Sequence, residues 1–375
     1  MRLVINTINF SFLLILIISC APDVNRNSIG DPKSSNFITN LLLSKSSSIQ
    51  WEVTTFAGMA GVSGFSDGQG SIAKFNSPKG LTIDSEDNLY VADSVNGTIR
   101  RITSAGIVST FAGNASVAGS NVDGVGSSAR FNSPSDICID SQGTLYVADT
   151  NNQTIRKINA SAEVTTIAGF ASSAGFQNGN GTNSRFYLPE GITIDINGNL
   201  YVADTANSRI RKIAPNGDVT TLAGSSQGYS EGSGTSALFD RPKSIFFDNS
   251  GFLLISDTSN RLIRKLTLDG LSSKLAGRYG SQQFDNEGNA STASISPYGI
   301  TSIQGVIYFI SPSSVVKIEN NIISNLVGDG LVLGSRDGIG SFARFNRPRG
   351  IVIDSRGNIF VSDTNNHTIR KISRL

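Results

Sequence analysis

One short phrase recurs along the chain at intervals of about 55 residues, and it constrains the fold more than any other feature. Its copies are Leu-Tyr-Val-Ala-Asp at 89–93, 145–149 and 200–204, Leu-Leu-Ile-Ser-Asp at 253–257, and Ile-Phe-Val-Ser-Asp at 359–363. A degraded sixth copy, Ile-Tyr-Phe-Ile-Ser, stands at 307–311. Repetition at a fixed period indicates an array of equal units, so six similar units are predicted over residues 51–375.

Each unit contains four short segments that are typical of β-strands. In the third unit they cover 192–195, 200–204, 210–213 and 219–224, and Asn197-Gly198 separates the first two. Asn-Gly between two such segments is a strong hairpin signal, because both turn residues tolerate a positive φ. Antiparallel four-stranded sheets of this size bury their faces by packing around an axis, which predicts an all-β fold, the six-bladed β-propeller.

The two ends of the repeat array are complementary. The last unit stops after its third strand, near Ile372, while an extra segment of the fourth-strand type, Val53-Thr54-Thr55-Phe56-Ala57-Gly58, stands before the first unit. We predict that residues 53–58 complete the last blade, because closing the ring in this way removes two open sheet edges.

These patterns carry a family resemblance. The order Pro-x-Gly-Ile-x-x-Asp, Leu-Tyr-Val-Ala-Asp-Thr, Asn-x-x-Ile-Arg-Lys-Ile and Val-Thr-Thr-Leu-Ala-Gly resembles the NHL repeat, and His367 falls where that family has its namesake histidine. The resemblance covers residues 51–375 and implies a propeller. It leaves the function open, because some six-bladed relatives are lactonases or lyases that work around a central metal, and others bind macromolecules.

Three polar positions also recur: an aspartate after the first strand, an aspartate that ends the second and an arginine in the third. They are Asp195, Asp204 and Arg211 in the third unit, and Ile303, Ser311 and Val316 in the fifth. Joint loss within one unit indicates a coupled structural network rather than metal ligands or general bases, because a buried arginine without its carboxylates is costly. Drift, or a ligand beside the fifth blade, would each explain why that unit alone departs from the pattern.

The first 20 residues differ from the rest of the chain. A short apolar run follows Arg2 and has the length of a signal peptide rather than of a membrane span. The segment Ile17-Ile18-Ser19-Cys20 resembles a bacterial lipobox. We therefore predict a lipoprotein signal peptide over 1–19, with an acylated Cys20 and a flexible tether over 20–50. An ordinary cleaved signal peptide is the alternative.

The long segments between units are predicted to cover one face of the propeller, where loops on a rigid scaffold carry recognition. We expect their aromatic residues to anchor a partner. The candidate binding residues are Phe65, Phe176, Tyr187, Tyr229, Tyr279 and Phe284. These loops also repeat Asp-Gly-x-Gly, but one carboxylate per loop falls short of a calcium site, so a tight turn followed by a buried Ala and Phe is the interpretation.

The sequence favours a non-catalytic binding scaffold of the bacterial envelope that recognises a protein, a peptide or a glycan. The net charge of +2 gives no reason to expect nucleic acid as a partner. We expect a monomer without a cofactor, and Ala21 after Cys20 favours the outer membrane, by resemblance to enterobacterial lipoproteins.

A metal-dependent hydrolase or lyase is the second hypothesis. A single histidine excludes a multi-histidine zinc site and argues against a Ser-His-Asp triad. The two acids that break the repeat pattern, Glu190 and Asp136, are the candidate metal ligands under this hypothesis.

Overall fold

The computed structural model describes residues 49–281 and 286–375, and over these ranges it confirms a six-bladed β-propeller. Every blade is an antiparallel sheet of five strands rather than the four predicted. The fifth is a two-residue strand from the long connection, paired to the outside of the fourth. Two residues are too short to leave a pattern in the sequence, which is why this strand was missed.

The strands are named by their order from the axis outward: innermost, second, third, fourth and edge. The innermost strands are Pro78–Ile83, Pro134–Ile139, Pro189–Ile194, Pro242–Asp248, Ile300–Ile303 and Ile351–Ile353. The second strands are Leu89–Asp93, Leu145–Asp149, Leu200–Asp204, Phe252–Asp257, Val306–Ser311 and Ile359–Asp363. The third strands are Thr98–Ile102, Thr154–Ile158, Arg209–Ile213, Leu262–Thr267, Ser314–Glu319 and Thr368–Arg374.

The outer strands and the short helices complete each blade. The fourth strands are Ile107–Gly113, Glu163–Ala168, Asp218–Ala223, Leu271–Ala276, Ile322–Gly328 and, in blade six, Trp51–Ala57. The edge strands are Gly68–Gln69, Gly124–Val125, Gly179–Asn180, Gly232–Ser233, Gly288–Asn289 and Gly338–Ile339. The 3₁₀ helices are Gly70–Ile72, Ala115–Val117, Gly126–Ser128, Thr150–Asn152, Gly181–Asn183, Thr205–Asn207, Gly234–Ser236, Gly340–Phe342 and Thr364–Asn366.

The hydrophobic core lies between blades rather than within one of them. All five residues of the second strand Leu200–Asp204 are buried, because each sheet is covered by a neighbour on both faces. The apolar clusters accordingly combine residues of adjacent blades, as where Ala148 of blade two packs with Val202 of blade three. One blade could not bury these faces alone, so its stability depends on the ring.

The ring is closed by the N-terminal strand, as predicted. Trp51–Ala57 pairs with the third strand of blade six, with Val53 opposite Ile372, and on its other side with the edge strand Gly338–Ile339. Blade six also reaches blade one, where the Thr364 hydroxyl donates a hydrogen bond to the carbonyl oxygen of Pro78 at 2.7 Å. Neither side of the closing strand is left as an open edge.

The connecting segments anchor themselves with a repeated phenylalanine. After each Gly-x-x turn of 3₁₀ helix comes a fully buried small residue, an alanine in all but Ser184, and two residues later a fully buried phenylalanine, as in Ala73 and Phe75. Phe75 also packs below Gly58, whose φ of +94° and tight space require glycine, since a Cβ there would lie 2.5 Å from the carbonyl oxygen of His367. The interpretation of these segments as turns with buried plugs is confirmed.

The structure differs from the sequence at one local turn. Asparagine tolerates the left-handed conformation, so the sequence predicts it for the asparagine after the second strand, Asn207 in blade three. Instead Asn207 ends a 3₁₀ helix and donates to Asp204 Oδ2 at 2.8 Å, while the next residue, Ser208, has the positive φ of +53°. The side-chain bond to the aspartate explains the recurrence of asparagine at this place.

Within the described residues, no helix has the length and apolar character needed to cross a membrane. The predicted signal peptide over 1–19, Cys20 and nearly all of the predicted tether lie outside those residues.

Candidate functional site

Two of the three recurring polar positions, the aspartate that ends the second strand and the arginine of the third, form a buried ion pair, as predicted. In blade three, Arg211 donates to Asp204 Oδ2 at 2.8 Å with both side chains fully buried. The equivalent pairs in blades one, two, four and six span 2.7–3.1 Å. Because both members of each pair are completely buried and bonded to each other, a ligand cannot reach them, so they are structural.

The aspartate after the first strand is not part of this network. Asp195 accepts hydrogen bonds from the backbone N–H groups of Asn197 and Asn199 at 2.9 and 2.8 Å, so it caps the hairpin turn. In blades one, two and six the second carboxylate on the buried arginine comes from the connecting loop, as with Asp67, 2.6 Å from Arg100. In these blades the Asp-Gly-x-Gly segment therefore forms a turn, and its aspartate also pairs with the buried arginine.

Three of the candidate binding aromatics occupy one repeated position above the third strand. Phe65, Phe176 and Tyr229 each cover a buried guanidinium, with ring centroids 4.8–5.1 Å from the arginine carbon. Cation–π contacts of this kind give the rings a packing function. Their outer faces remain exposed, with 45% of Phe65 and 46% of Phe176 accessible.

The other candidates lie apart from one another. Tyr279 stacks on Tyr229 with ring centroids 4.7 Å apart, and Tyr187 is exposed where its blade begins. Phe284 lies outside the described residues. Contact between these aromatics and a partner stays a prediction.

The structure instead draws attention to the axial channel, a cavity of about 860 Å³ lined by the innermost strands. The residue between Pro and Gly, or its equivalent, lines the end of the channel where each innermost strand begins. These six residues, in blade order, are Lys79, Ser135, Glu190, Lys243, Tyr298 and Arg349. We call them the mouth ring. The sequence signal was available: this position varies freely while its neighbours repeat.

The mouth ring is predominantly positive. It holds three cations and one carboxylate, and that carboxylate, Glu190, lies 3.8 Å from the Lys243 ammonium. Burial lowers the pKa of Lys79, and the nearby charges of Arg349 and Lys243 lower it further, while Glu190 opposes them. At the opposite end of the channel the lining includes Asp140 and Asp195, so charge is separated along the axis.

Asp136 lines the channel next to the mouth ring. It occupies the place of Gly191 and packs against Gly80, where a Cβ would lie 2.2 Å from its Oδ1. Burial raises the pKa of Asp136 to about 7, although the backbone N–H groups of Ile192 and Ile137 donate to its two oxygens at 3.1 and 2.9 Å. The structure therefore brings both sequence-predicted acids, Glu190 and Asp136, to one channel.

These acids do not fit a central metal ion. Calcium takes six to eight oxygen ligands, and in residues 49–281 and 286–375 no three His, Cys, Asp or Glu side chains are grouped to hold a metal. Glu190 is partnered by Lys243, and both oxygens of Asp136 accept backbone N–H groups. The surrounding cations would also repel a divalent ion.

The single histidine is held by the scaffold. Nδ1 of His367 accepts a hydrogen bond from the backbone N–H of Ser77 at 3.0 Å, and the residue has a left-handed backbone with φ +58°. Burial lowers its pKa. His367 thus joins blade six to blade one, and it is not among the residues that line the channel.

A closed ring of six sheets around an axial channel defines the class: the chain is a six-bladed β-propeller. The NHL repeat model matches two of its repeats, at residues 75–102 and 345–372. The model of the SMP-30/gluconolactonase/LRE-like region matches residues 129–224, which include both Asp136 and Glu190.

Similarity to individual proteins extends over most of the propeller. The chain is 28% identical over 335 residues to the chloroplastic protein SUPPRESSOR OF QUENCHING 1 of Arabidopsis thaliana, covering 84% of this chain but only 26% of that protein. The chain thus spans about a quarter of the length of this curated relative.

Two solved structures illustrate the range of proteins with this fold. An auxiliary nutrient binding protein from Bacteroides thetaiotaomicron matches with a TM-score of 0.66 at 19% identity, over 87% of this chain and 77% of that one. A gluconolactonase from Xanthomonas campestris matches with a TM-score of 0.56 at 12% identity, over 86% of this chain and 89% of that one. At such identities the likeness shows the fold alone.

Proposed function

We propose that this chain is a non-catalytic binding scaffold of the bacterial cell envelope, which recognises a protein, a peptide or a glycan. The ligand enters the channel mouth and contacts the long connecting loops around it. The observation that carries this proposal is the mouth ring, where six equivalent positions hold five different kinds of side chain on an otherwise repetitive scaffold. A cavity of this size with a few convergent polar groups is typical of ligand sites.

Two further observations support binding rather than chemistry. The acids of the channel are already engaged, Glu190 by Lys243 and Asp136 by backbone N–H groups, and the histidine is engaged by Ser77. The fold is also shared with a protein named for nutrient binding, which supports a binding role by analogy.

Blocking the channel tests the proposal. Ser244 lines the channel beside the mouth ring, and Ser244→Tyr is expected to fill the space and to weaken binding at least tenfold. The purified full chain would be titrated calorimetrically with envelope peptides and oligosaccharides. The control is Val125→Tyr, on an edge strand at the outside of the propeller, where 59% of the side chain is exposed.

Equal binding by Ser244→Tyr and wild type would contradict a channel ligand. Conversion of a bound ligand into product would contradict a non-catalytic scaffold and favour the second candidate, a hydrolase or lyase. The pKa of Asp136, raised to about 7, specifically favours that candidate, because a general acid–base works best near the ambient pH. Its turnover would change near pH 7 and be lost in Asp136→Ser, which copies Ser244 of blade four.

We propose further that Cys20 is acylated and holds the propeller at the outer membrane, on the basis of the lipobox-like Ile17-Ile18-Ser19-Cys20. Acyl chains contribute about 0.8 kcal/mol per buried methylene, so two or more give stable anchoring. Cys20→Ser is expected to move the protein from the detergent phase to the soluble fraction. Unchanged partitioning, in parallel with a Ser19→Ala control, would contradict lipidation.

A further inference from the structure

Blade five has a lower wall than its neighbours on the face of the mouth ring. Four residues join the second and third strands in blade four, between Asp257 and Leu262, but only Pro312 and Ser313 do so in blade five. Above this short turn lies a second cavity of about 550 Å³, which shares Lys243 and Tyr298 with the channel. We call it the blade-five notch.

The notch is bordered by cations on both sides. Blade four supplies Arg241, Lys243 and Arg261, and blade six supplies Arg347, with Arg349 beside it in the mouth ring. In both blades two of these cations stand on either side of the proline that precedes or begins the innermost strand. The arrangement is a pair of basic walls facing each other across blade five.

The backbone does not require these arginines. Arg241 and Arg347 have φ values of +49° and +50°, but the equivalent residues Ser77, Ser133 and Leu188 adopt the same conformation, at +49° to +55°. The turn is thus common to the blades, and arginine appears only in the two that flank blade five. The left-handed conformation does not favour arginine, so the backbone of this turn gives no reason for arginine at positions 241 and 347. Their side chains are therefore available for binding.

Tyr298 holds the inner cations apart. Its ring centroid lies 4.2 Å from the Arg349 guanidinium carbon and 6.0 Å from the Lys243 ammonium nitrogen. Of the described residues that line the notch, none is an aspartate or a glutamate, while Ser259 and Ser296 add hydroxyl groups.

We propose that the blade-five notch binds an oxyanion, the carboxylate or phosphate group of a hydroxyl-rich small molecule or chain end. Guanidinium groups match the planar geometry of carboxylates and phosphates, and Arg241 and Arg347 approach from opposite walls. The hydroxyl groups of Ser259 and Ser296 are suited to the neighbouring polar groups of an acidic sugar. The inference rests on the proposed binding function and assigns its ligand a charge.

The test uses three probes on the full chain in low-salt buffer: inorganic phosphate, galacturonic acid and neutral galactose. We expect calorimetric binding of at least one anion and none of galactose. Arg241→Ser and Arg347→Ser copy the serines of blades one and two, so the turn is preserved. Each is expected to weaken anion binding about tenfold, and the double variant about 50-fold. Arg356→Ser, on an exposed turn of the opposite face, is the matched control.

The outcomes distinguish a phosphate ligand from a carboxylate ligand, and they distinguish failure of the anion site from failure of the proposed binding function. Phosphate alone indicates a phosphorylated ligand, and galacturonic acid alone indicates a carboxylated sugar. The proposed anion site would be wrong if the double variant binds the anion within twofold of the wild-type affinity, or if wild type binds galactose as tightly as the anions. If neither anion binds, the proposed anion site is also wrong. The proposed binding scaffold would still be supported in that case if wild type binds a peptide or a neutral glycan and Ser244→Tyr does not.

Discussion

Deleting residues 51–57 is expected to destroy the cooperative folding of the propeller. The deletion removes the buried side chains of Trp51 and Val53 and exposes the third strand of blade six on one side and the edge strand Gly338–Ile339 on the other. It also takes away Thr55, which donates two hydrogen bonds of 3.0 Å to Asp337. We expect a loss on the order of 5 kcal/mol in the free energy of unfolding, with association through the open edges.

Thermal unfolding and gel filtration measure this effect, and a peptide provides the control. A synthetic peptide of residues 49–58 added in trans is expected to restore a monomeric, cooperatively unfolding protein. The same peptide with Val53→Asp should not, because Val53 is fully buried and the charge would be desolvated. A deletion variant that unfolds at the wild-type temperature without peptide would refute closure by this strand.

Replacing Asp257 with serine is expected to lower the free energy of unfolding by about 3–5 kcal/mol. Blade four is a sensitive place for this change. Its Arg264 has one carboxylate partner, at 3.1 Å, and its other terminal nitrogen donates to the Ser230 carbonyl oxygen and the Ser272 hydroxyl. Removing the carboxylate leaves a fully buried guanidinium without a counter-charge.

The double variant Asp257→Ser, Arg264→Val decides whether the cost comes from that orphaned charge. It reproduces the combination that blade five carries naturally, Ser311 with Val316, which stand in the same places of a folded blade. We expect it to recover at least about 2 kcal/mol relative to the single variant in urea denaturation, since an apolar replacement of a buried pair is often tolerated. A double variant no more stable than the single one would contradict the network interpretation.

The repeated part of the structure was predictable because the same residue types recur wherever the same contacts recur. The phrase ending in Asp204, the Arg211 three strands from the axis and the extra strand over 53–58 were sufficient for the blade, its buried ion pair and the closure of the ring. Each of these contacts is local or is repeated five or six times, so it leaves a periodic trace.

The site was harder to predict because it depends on positions that do not repeat. Lys243, Tyr298 and Arg349 are far apart in sequence and meet only when the innermost strands converge on the axis. The packing of the loop aromatic Phe65 on Arg100, 35 positions away, could not be predicted, because such a contact has no signature in one sequence. The available signal was the one position between Pro and Gly, which differs from repeat to repeat while the residues around it recur.

The pairing of Trp51 with Arg374 has a consequence for how the chain is threaded. The backbone N–H of Leu375 donates to the carbonyl oxygen of Gln50 at 3.0 Å, so the first and last residues of the propeller are neighbours on one sheet. A circular permutant could join residue 375 to residue 50 through a short linker and begin instead at a hairpin turn such as Asn249-Ser250. We expect it to form the same propeller, with its chain termini in blade four instead of blade six. The order of the strands along the chain therefore decides which blade contains the two termini, and the geometry of the propeller does not depend on that choice.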